Sequence, residues 1–353
     1  MRIRVSLRSP FGWAVTRDIE DGEWAEPVGD ADQHLGLDAW ALPGLSDSHA
    51  HIAGEELSDP GDLEGAIKRS REALRAGVTL LIDKGWRDTT AVEAISRMEI
   101  GERPDVEAAA EIISVEGGYF PGFGRVIPPH DVGGAVKEEA RRGRGWVKLV
   151  GDWPRKGAGP VANFDESQLA EAVSVAESFG SKVAIHTMAR DVPSLAVGAG
   201  VHSIEHGLFL RESDLAPLGA RGGMWVPTIL RVEETIGQLG RDSSGGRLLQ
   251  EGLENVRDLL PDAIDAGVNV LAGTDLVGAP ADVAAEALKL AEYGLSNAQA
   301  VAAVGHAAFL ATGRTAGFEP GSPANAVLFP ADPTENLAIL QHPGKIIRLG
   351  TIL

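Results

Sequence analysis

Residues 146–186, WVKLVGDWPRKGAGPVANFDESQLAEAVSVAESFGSKVAIH, set two short apolar runs, Trp146–Val150 and Val183–His186, around an amphipathic segment, Asp165–Phe179. Asp165 and Gln168 stand at capping-box spacing, which marks a helix start. Gly180 supplies the left-handed residue that ends a helix just before the next strand. Strand, helix, strand in that order is the unit of a parallel sheet with helical crossovers. The alternation extends in both directions. Candidate strands lie at Ala41–Asp47, Val78–Asp83, Val106–Val115, Ser203–His206, Gly223–Thr228 and Val268–Ala272. Helix candidates lie at Asp62–Ala76, Asp131–Arg142 and Asp282–Tyr293, with Gly77, Gly200 and Gly267 closing others. Eight strands, each followed by helical sequence, predict an α/β chain with a (β/α)8 TIM barrel over residues 41–313. Residues 1–40 and 314–353 are strand-and-turn in texture, and the reading predicts that they pair as one small β-domain.

Composition narrows the function classes. The chain has 353 residues and a net charge of −19, which argues against nucleic acid or an anionic membrane as partner. It has no cysteine, so disulfides, thiol catalysis and thiolate-ligated zinc are excluded, leaving His, Asp and Glu for any metal. Met1–Pro10 lacks the apolar stretch of a signal peptide, and no run approaches the ~20 apolar residues of a membrane helix. A cytoplasmic protein is expected.

Chemistry-bearing residues collect at the strand ends. His49 and His51 flank Ala50 and, with period two, point to one side of a strand, where they suit either a divalent metal or a packed polar surface. Lys148 sits mid-strand, where a buried ammonium is costly. Either it pairs with a carboxylate such as Asp152, or desolvation lowers its pKa and the neutral amine adds carbon dioxide, giving a carbamate able to bridge two metals. His186 and His206 end the next two strands, whereas His202 lies about 13 Å below His206 at ~3.3 Å per residue and is assigned to structure. Asp275 follows an apolar strand and a glycine, a place for a catalytic acid or for a helix N-cap. One such residue proves little, but independent accidents at all of these positions do not explain the set.

The segments LPGLSDSHAH (42–51), WVKLV (146–150), VAIHT (183–187), HSIEHG (202–207) and NVLAGTD (269–275) together resemble the amidohydrolase superfamily of metal-dependent hydrolases. Lys148 with SIEHG and VPT (226–228) is most similar to its prolidase-like, Xaa-Pro dipeptidase-like branch. GSPANAVLFPADP (321–333) resembles the returning strands of the family's small β-sandwich, which the N- and C-terminal segments would form. The resemblance implies two divalent metals. His49, His51 and Asp275 would hold one, His186 and His206 the other, with carbamylated Lys148 and a hydroxide bridging both. Zinc suits that ligand set, and Mn, Co or Fe fit as well. It implies cleavage of an amide in a dipeptide or N-acyl amino acid, with Asp275 as general acid and base.

Departures bear on the substrate, expected to be a small molecule. Tyr119 follows Gly117-Gly118 where relatives often carry His, and would donate to an oxyanion or form an aromatic wall. Arg190 and Arg231 would pair with a substrate carboxylate, or be solvated surface charges; Arg125, Arg155 and Lys156 share that choice. Trp153 and Phe120 would line a pocket or cover the rim. Alternatives to the amidase are a lactonase or esterase on the same two-metal site and a mononuclear heterocycle deaminase, against which Lys148 argues. A non-enzymatic binding protein is disfavoured because no ligand position is broken. The sequence leaves a homo-oligomer open.

Overall fold

The computed structural model describes residues 2–353, apart from the side chains of residues 36–38; Met1, counted above in the small domain, lies outside the described residues. Its centre is a set of parallel strands. Trp146–Val150 pairs with Lys182–Thr187, that strand with Ser203–His206, then Met224–Val226, then Asn269–Val270. Leu45–Ala50, Val78–Asp83 and Asp105–Ala108 form a second parallel group. Backbone contacts join the groups at both edges. Ala108 bridges to Gly145, and on the other side Ser48 N–H donates to Ala272 O at 2.8 Å and Asp275 N–H to His49 O at 2.8 Å. Residues 45–50, 78–83 and 146–150 are buried without interruption, as strands covered on both faces must be.

Four of the helices are those the sequence marks, and Val192–Gly198, Glu212–Ala220, Ile229–Leu239 and Ser244–Asp265 supply further crossovers. Leu63–Arg75, Val132–Arg142, Glu166–Ser178 and Ala284–Glu292 fall inside the predicted spans. Asp165 and Gln168 make the reciprocal capping box. Gly77, Gly180, Gly200 and Gly267 all have positive φ, the conformation required after each helix.

Two expected strands are divided. The run over 41–47 ends one strand and starts another: Gln33–Leu42 belongs to the terminal sheet, and Leu45–Ala50 begins the parallel set. Pro43 has no N–H to continue a ladder, and a Cβ at Gly44 would lie 1.6 Å from Thr79 Oγ1, so only glycine fits the corner. The run over 106–115 splits into Asp105–Ala108 and Ile113–Val115, the latter a spur paired with Leu149.

The chain's two ends do pair. Val327 sits opposite Leu42, and Ile3–Arg8 runs parallel to Gln33–Leu42. The product is one seven-stranded sheet with its own apolar cluster around Val5, Leu7, Trp24, Ala326 and Leu328. Among the described residues no helix is long and apolar enough to cross a membrane.

Candidate active site

One cavity of about 1260 Å³ opens at the C-terminal ends of the parallel strands, and His49, His51, Lys148, His186, His206 and Asp275 all line it. Asp275 is the meeting point. Its Oδ1 lies 3.5 Å from His49 Nε2 and 3.3 Å from His51 Nε2, while Oδ2 lies 3.9 Å from His206 Nε2. The ligand atoms of His49, His51 and Asp275 fall within 4.8 Å of one another. His206 Nε2 is 2.9 Å from His186 Nδ1.

The outer nitrogens decide what the rings present. His51 Nδ1 is 2.8 Å from Gly85 O, a pure acceptor, so Nδ1 carries the hydrogen and Nε2 the lone pair. His206 Nδ1 is 2.6 Å from Thr228 Oγ1, whose own hydrogen goes to Pro227 O at 2.8 Å. That hydroxyl must therefore accept, so His206 carries its hydrogen on Nδ1 and its Nε2 lone pair accepts from His186 Nδ1–H, which leaves His186 Nε2 bare. His49 Nδ1 meets Glu205 Oε2 at 2.7 Å, with the same consequence as for His51. Rings anchored at one nitrogen and free at the other are the arrangement of metal-binding histidines.

Electrostatics agree with a donor set. Burial lowers His49 to about 3 and His206 to about 4, and holds His186 well below its ordinary value, so all three rings are neutral at pH 7. Burial alone would raise Asp275, but the surrounding charge, the Arg231 guanidinium included, holds its carboxyl well below the ordinary range. Lys148 is 3% exposed, and burial lowers its amine to about 8. Lys148 Nζ and His186 Nε2 are buried without a hydrogen-bond partner among the described residues. An unpartnered amine and an unpartnered imidazole nitrogen beside other ring lone pairs and one carboxylate fit a site completed by cations. Asp152 is not the counter-charge considered for Lys148: its oxygens accept the N–H groups of Met188 and Ala189, at 2.9 and 3.0 Å.

The outer residues divide. Tyr119 lines the cavity with Phe120 and Trp153, the three rings 4.6 to 5.1 Å apart by centroid, and Tyr119 stands 6.1 Å from the His186 ring. Burial and the nearby Asp275 charge raise its hydroxyl, so it remains a neutral phenol. Arg231 also lines the cavity, with Nε 4.0 Å from Asp275 Oδ2 and a partner in Glu234 at 2.9 Å. Arg155 also lines the cavity. Arg190 is not brought to it: its guanidinium holds Glu251 at 2.6 Å and stacks on Phe209. Arg125 pairs with Glu138 and Glu139. His202 sits with Glu177 and the Val183 N–H, away from the site as expected.

Several supporting residues escaped the sequence reading. Glu205 and Lys84 form a fully buried pair at 3.0 Å behind His49. Asp47 accepts from Thr274 Oγ1 at 2.6 Å and from the His49 N–H at 3.0 Å. A charge within an apolar strand, the feature that marks Lys148, is present equally at Lys84 in LLIDKG and at Glu205 in SIEHG.

The fold and this constellation define a hydrolase class, and comparison with known proteins gives it a family. Residues 40–349 match the model of the amidohydrolase family. The chain belongs to that family and is an amidohydrolase-type hydrolase. An uncharacterised protein of Mycobacterium tuberculosis (strain H37Rv) is 30% identical over 362 residues, covering 99% of this chain and 95% of that protein. Among solved structures, a Xaa-Pro dipeptidase with bound methionine superimposes with a TM-score of 0.82 at 20% identity, covering all of both chains. Aspergillus niger ochratoxinase gives 0.82 at 20% identity over 99% of this chain and 95% of the other. Phenylurea hydrolase B gives 0.76 at 18%, over 100% and 97%. These likenesses establish a shared mixed α/β fold of the TIM-barrel type.

Proposed function

We propose that the protein is a binuclear metal-dependent hydrolase that cleaves an amide bond in a small, carboxylate-bearing substrate such as a dipeptide or N-acyl amino acid. On this reading the eight parallel strands close as a (β/α)8 barrel over residues 41–313, and residues 1–40 and 314–353 form the small β-domain, a sandwich in the family pattern. The observation that carries the proposal is one cavity in which His49 and His51 present bare Nε2 atoms around Asp275, with the His206–His186 pair and the unpartnered Lys148 Nζ and His186 Nε2 beside them.

His49, His51 and Asp275 would hold one cation, and His186 and His206 the other, with Lys148 as a carbamate shared between them. Zinc suits these nitrogen and oxygen donors, as would Mn, Co or Fe. Divalent cations held there would supply a water of lowered pKa and would polarise the scissile carbonyl. Asp275 takes the proton of the attacking water and delivers it to the leaving nitrogen. Arg231, on the Asp275 side, meets the substrate carboxylate, while Tyr119, Phe120 and Trp153 form an apolar wall on the His186 side. A lactonase or esterase on the same ligands is the second reading, favoured by the same donor set. A mononuclear deaminase leaves Lys148 without a role.

Metal analysis of protein purified without chelators and with bicarbonate tests the reading. It expects about two equivalents in the wild type and at most one in Lys148→Ala. Hydrolysis of dipeptides and N-acyl amino acids, but not lactones, selects the amidase. A wild type that never exceeds one equivalent overturns the binuclear site.

A further inference from the structure

We propose that Lys84 is a positioning residue: through Glu205 it fixes the Nδ1-protonated form of His49 and aims the free Nε2 of that ring at Asp275. The inference rests on the metal-site reading above and concerns residues that contact neither cation nor substrate.

Three histidines of the site are anchored at Nδ1, but by unlike partners. Gly85 O and Thr228 Oγ1, which hold His51 and His206, are neutral. His49 alone is held by a carboxylate, Glu205 Oε2, at 2.7 Å. Two lone pairs do not sit at that distance, so opposite an ionised Glu205 the His49 Nδ1 carries the hydrogen, leaving Nε2 bare 3.5 Å from Asp275 Oδ1.

A carboxylate in a dry core needs a counter-charge. Lys84 provides it, with Nζ 3.0 Å from Glu205 Oε1 and both side chains fully buried. Ser203 Oγ donates to the same Oε1 at 2.6 Å. One oxygen is thus occupied by an ammonium and a hydroxyl, and the other is left for His49. Neither the Lys84 nor the His49 contact is a straight hydrogen bond, so the orientation depends on the Glu205 charge more than on angle. Two further features fix the ammonium. It lies 4.4 Å from the centroid of the Trp146 ring, a cation–π distance. The Lys84 N–H donates to Ala50 O at 2.9 Å, tying its backbone to the residue that follows His49. Without the ammonium, Glu205 is left with Lys148 as its remaining buried cation, and His49 loses a fixed acceptor.

Lys84→Met and Glu205→Gln test the proposal, with Lys182→Met as control, since it removes the second ammonium near the same Trp146 ring, 5.6 Å from its centroid. Long-range proton–nitrogen NMR of chelator-treated protein reads the tautomer, with the His49 signal assigned by its loss in His49→Gln. It should show hydrogen on Nδ1 in the wild type and a shift toward Nε2 in Lys84→Met. Competition against a chromophoric chelator reads zinc affinity, which should fall 10- to 100-fold in Lys84→Met and Glu205→Gln and stay within about twofold in the control. Hydrogen on Nε2 of His49 in the wild type overturns the proposal, as do two variants that bind zinc as tightly as the wild type. Should Lys84→Met fail to fold, the wild-type tautomer and Glu205→Gln decide. A wild type that takes up no zinc sinks the metal-site reading, while the tautomer still decides the role of Lys84 independently.

Discussion

Replacing Lys148 by Met should have two opposed effects: it should stabilise the metal-free fold and destroy its capacity for two metals. The side chain is 3% exposed, and its nitrogen has no hydrogen-bond partner among the described residues. Burial lowers its pKa from 10.5 to about 8, with Lys84 adding to the effect and Glu205 and Asp275 opposing it. Because the folded value is the lower one, the unfolded chain binds more protons between pH 8 and 10.5, and stability rises with pH across that window. Below about pH 8 the full penalty applies. At about 1.36 kcal/mol per pH unit, the drop amounts to about 3 kcal/mol. Methionine, similar in length and uncharged, removes that cost. Urea unfolding of chelator-treated proteins at pH 7 should therefore find Lys148→Met about 2–3 kcal/mol more stable than wild type. The gap should shrink below about 1 kcal/mol near pH 10.5. Metal analysis of the same variant should give at most one equivalent. A variant less stable than wild type at pH 7, or a gap that persists at high pH, refutes the picture of a strained amine retained for function.

Three further outcomes follow from the geometry. Asp275→Asn should lower kcat by about 10²- to 10⁴-fold, the usual worth of a positioned acid–base group; retention of a tenth of the activity would remove Asp275 from that role. Arg231→Leu should raise KM for a carboxylate-bearing substrate about 10- to 100-fold, the equivalent of a charge-assisted pair of about 1.5–3 kcal/mol. The methyl ester should be unaffected, and Arg190→Leu, whose guanidinium serves Glu251 outside the cavity, should change neither value. Gly44→Ala should destabilise the fold by about 1–3 kcal/mol, since the new methyl would meet Thr79 Oγ1 at 1.6 Å. An unchanged urea midpoint would show that the corner can relax.

The parallel strands and their helices were legible because local signals agree: Asp165 caps where the amphipathic period begins, and Gly77, Gly180, Gly200 and Gly267 stop helices where apolar runs start. The residues that meet at Asp275 were legible as a set, since a charged or imidazole side chain at successive strand ends has no common structural excuse. Where the reading failed, the determinant was tertiary. Nothing local says that the apolar stretch 41–47 must change sheets; the corner is imposed by Thr79, thirty-five residues beyond Gly44. Ala108 and Ile113 look like one strand, yet their pairings diverge, one to Gly145 and the other to Leu149. Arg190 and Arg231 follow strand ends alike. They part only because Glu251, on a distant helix, captures Arg190.

The rim of the cavity shows why the supporting acids matter more than their number suggests. His206, Thr228, Asp275 and Leu276 have φ values of 62°, 47°, 44° and 67°, a region that costs non-glycine residues about 1–3 kcal/mol each. A backbone bent in this way exposes N–H groups that no ladder receives, and each needs an acceptor brought from elsewhere. Buried carboxylates provide them. Glu286 accepts the N–H groups of Ile229 and Leu230 just past Thr228, at 2.6 and 3.1 Å. Asp47 accepts the Thr274 N–H at 3.1 Å just before Asp275. Asp83 takes Ile52 and Gly85, the residues beside His51 and Lys84, at 2.7 and 2.8 Å. Trp225 completes the set by donating its indole N–H to His206 O at 2.8 Å. A straight strand would point alternate side chains away from the cavity; the bends turn His206 and Asp275 inward, and the acids hold the bends. The acids that shape the rim, whose own ionisation burial opposes, cannot be traded for apolar residues without releasing the side chains that meet at Asp275.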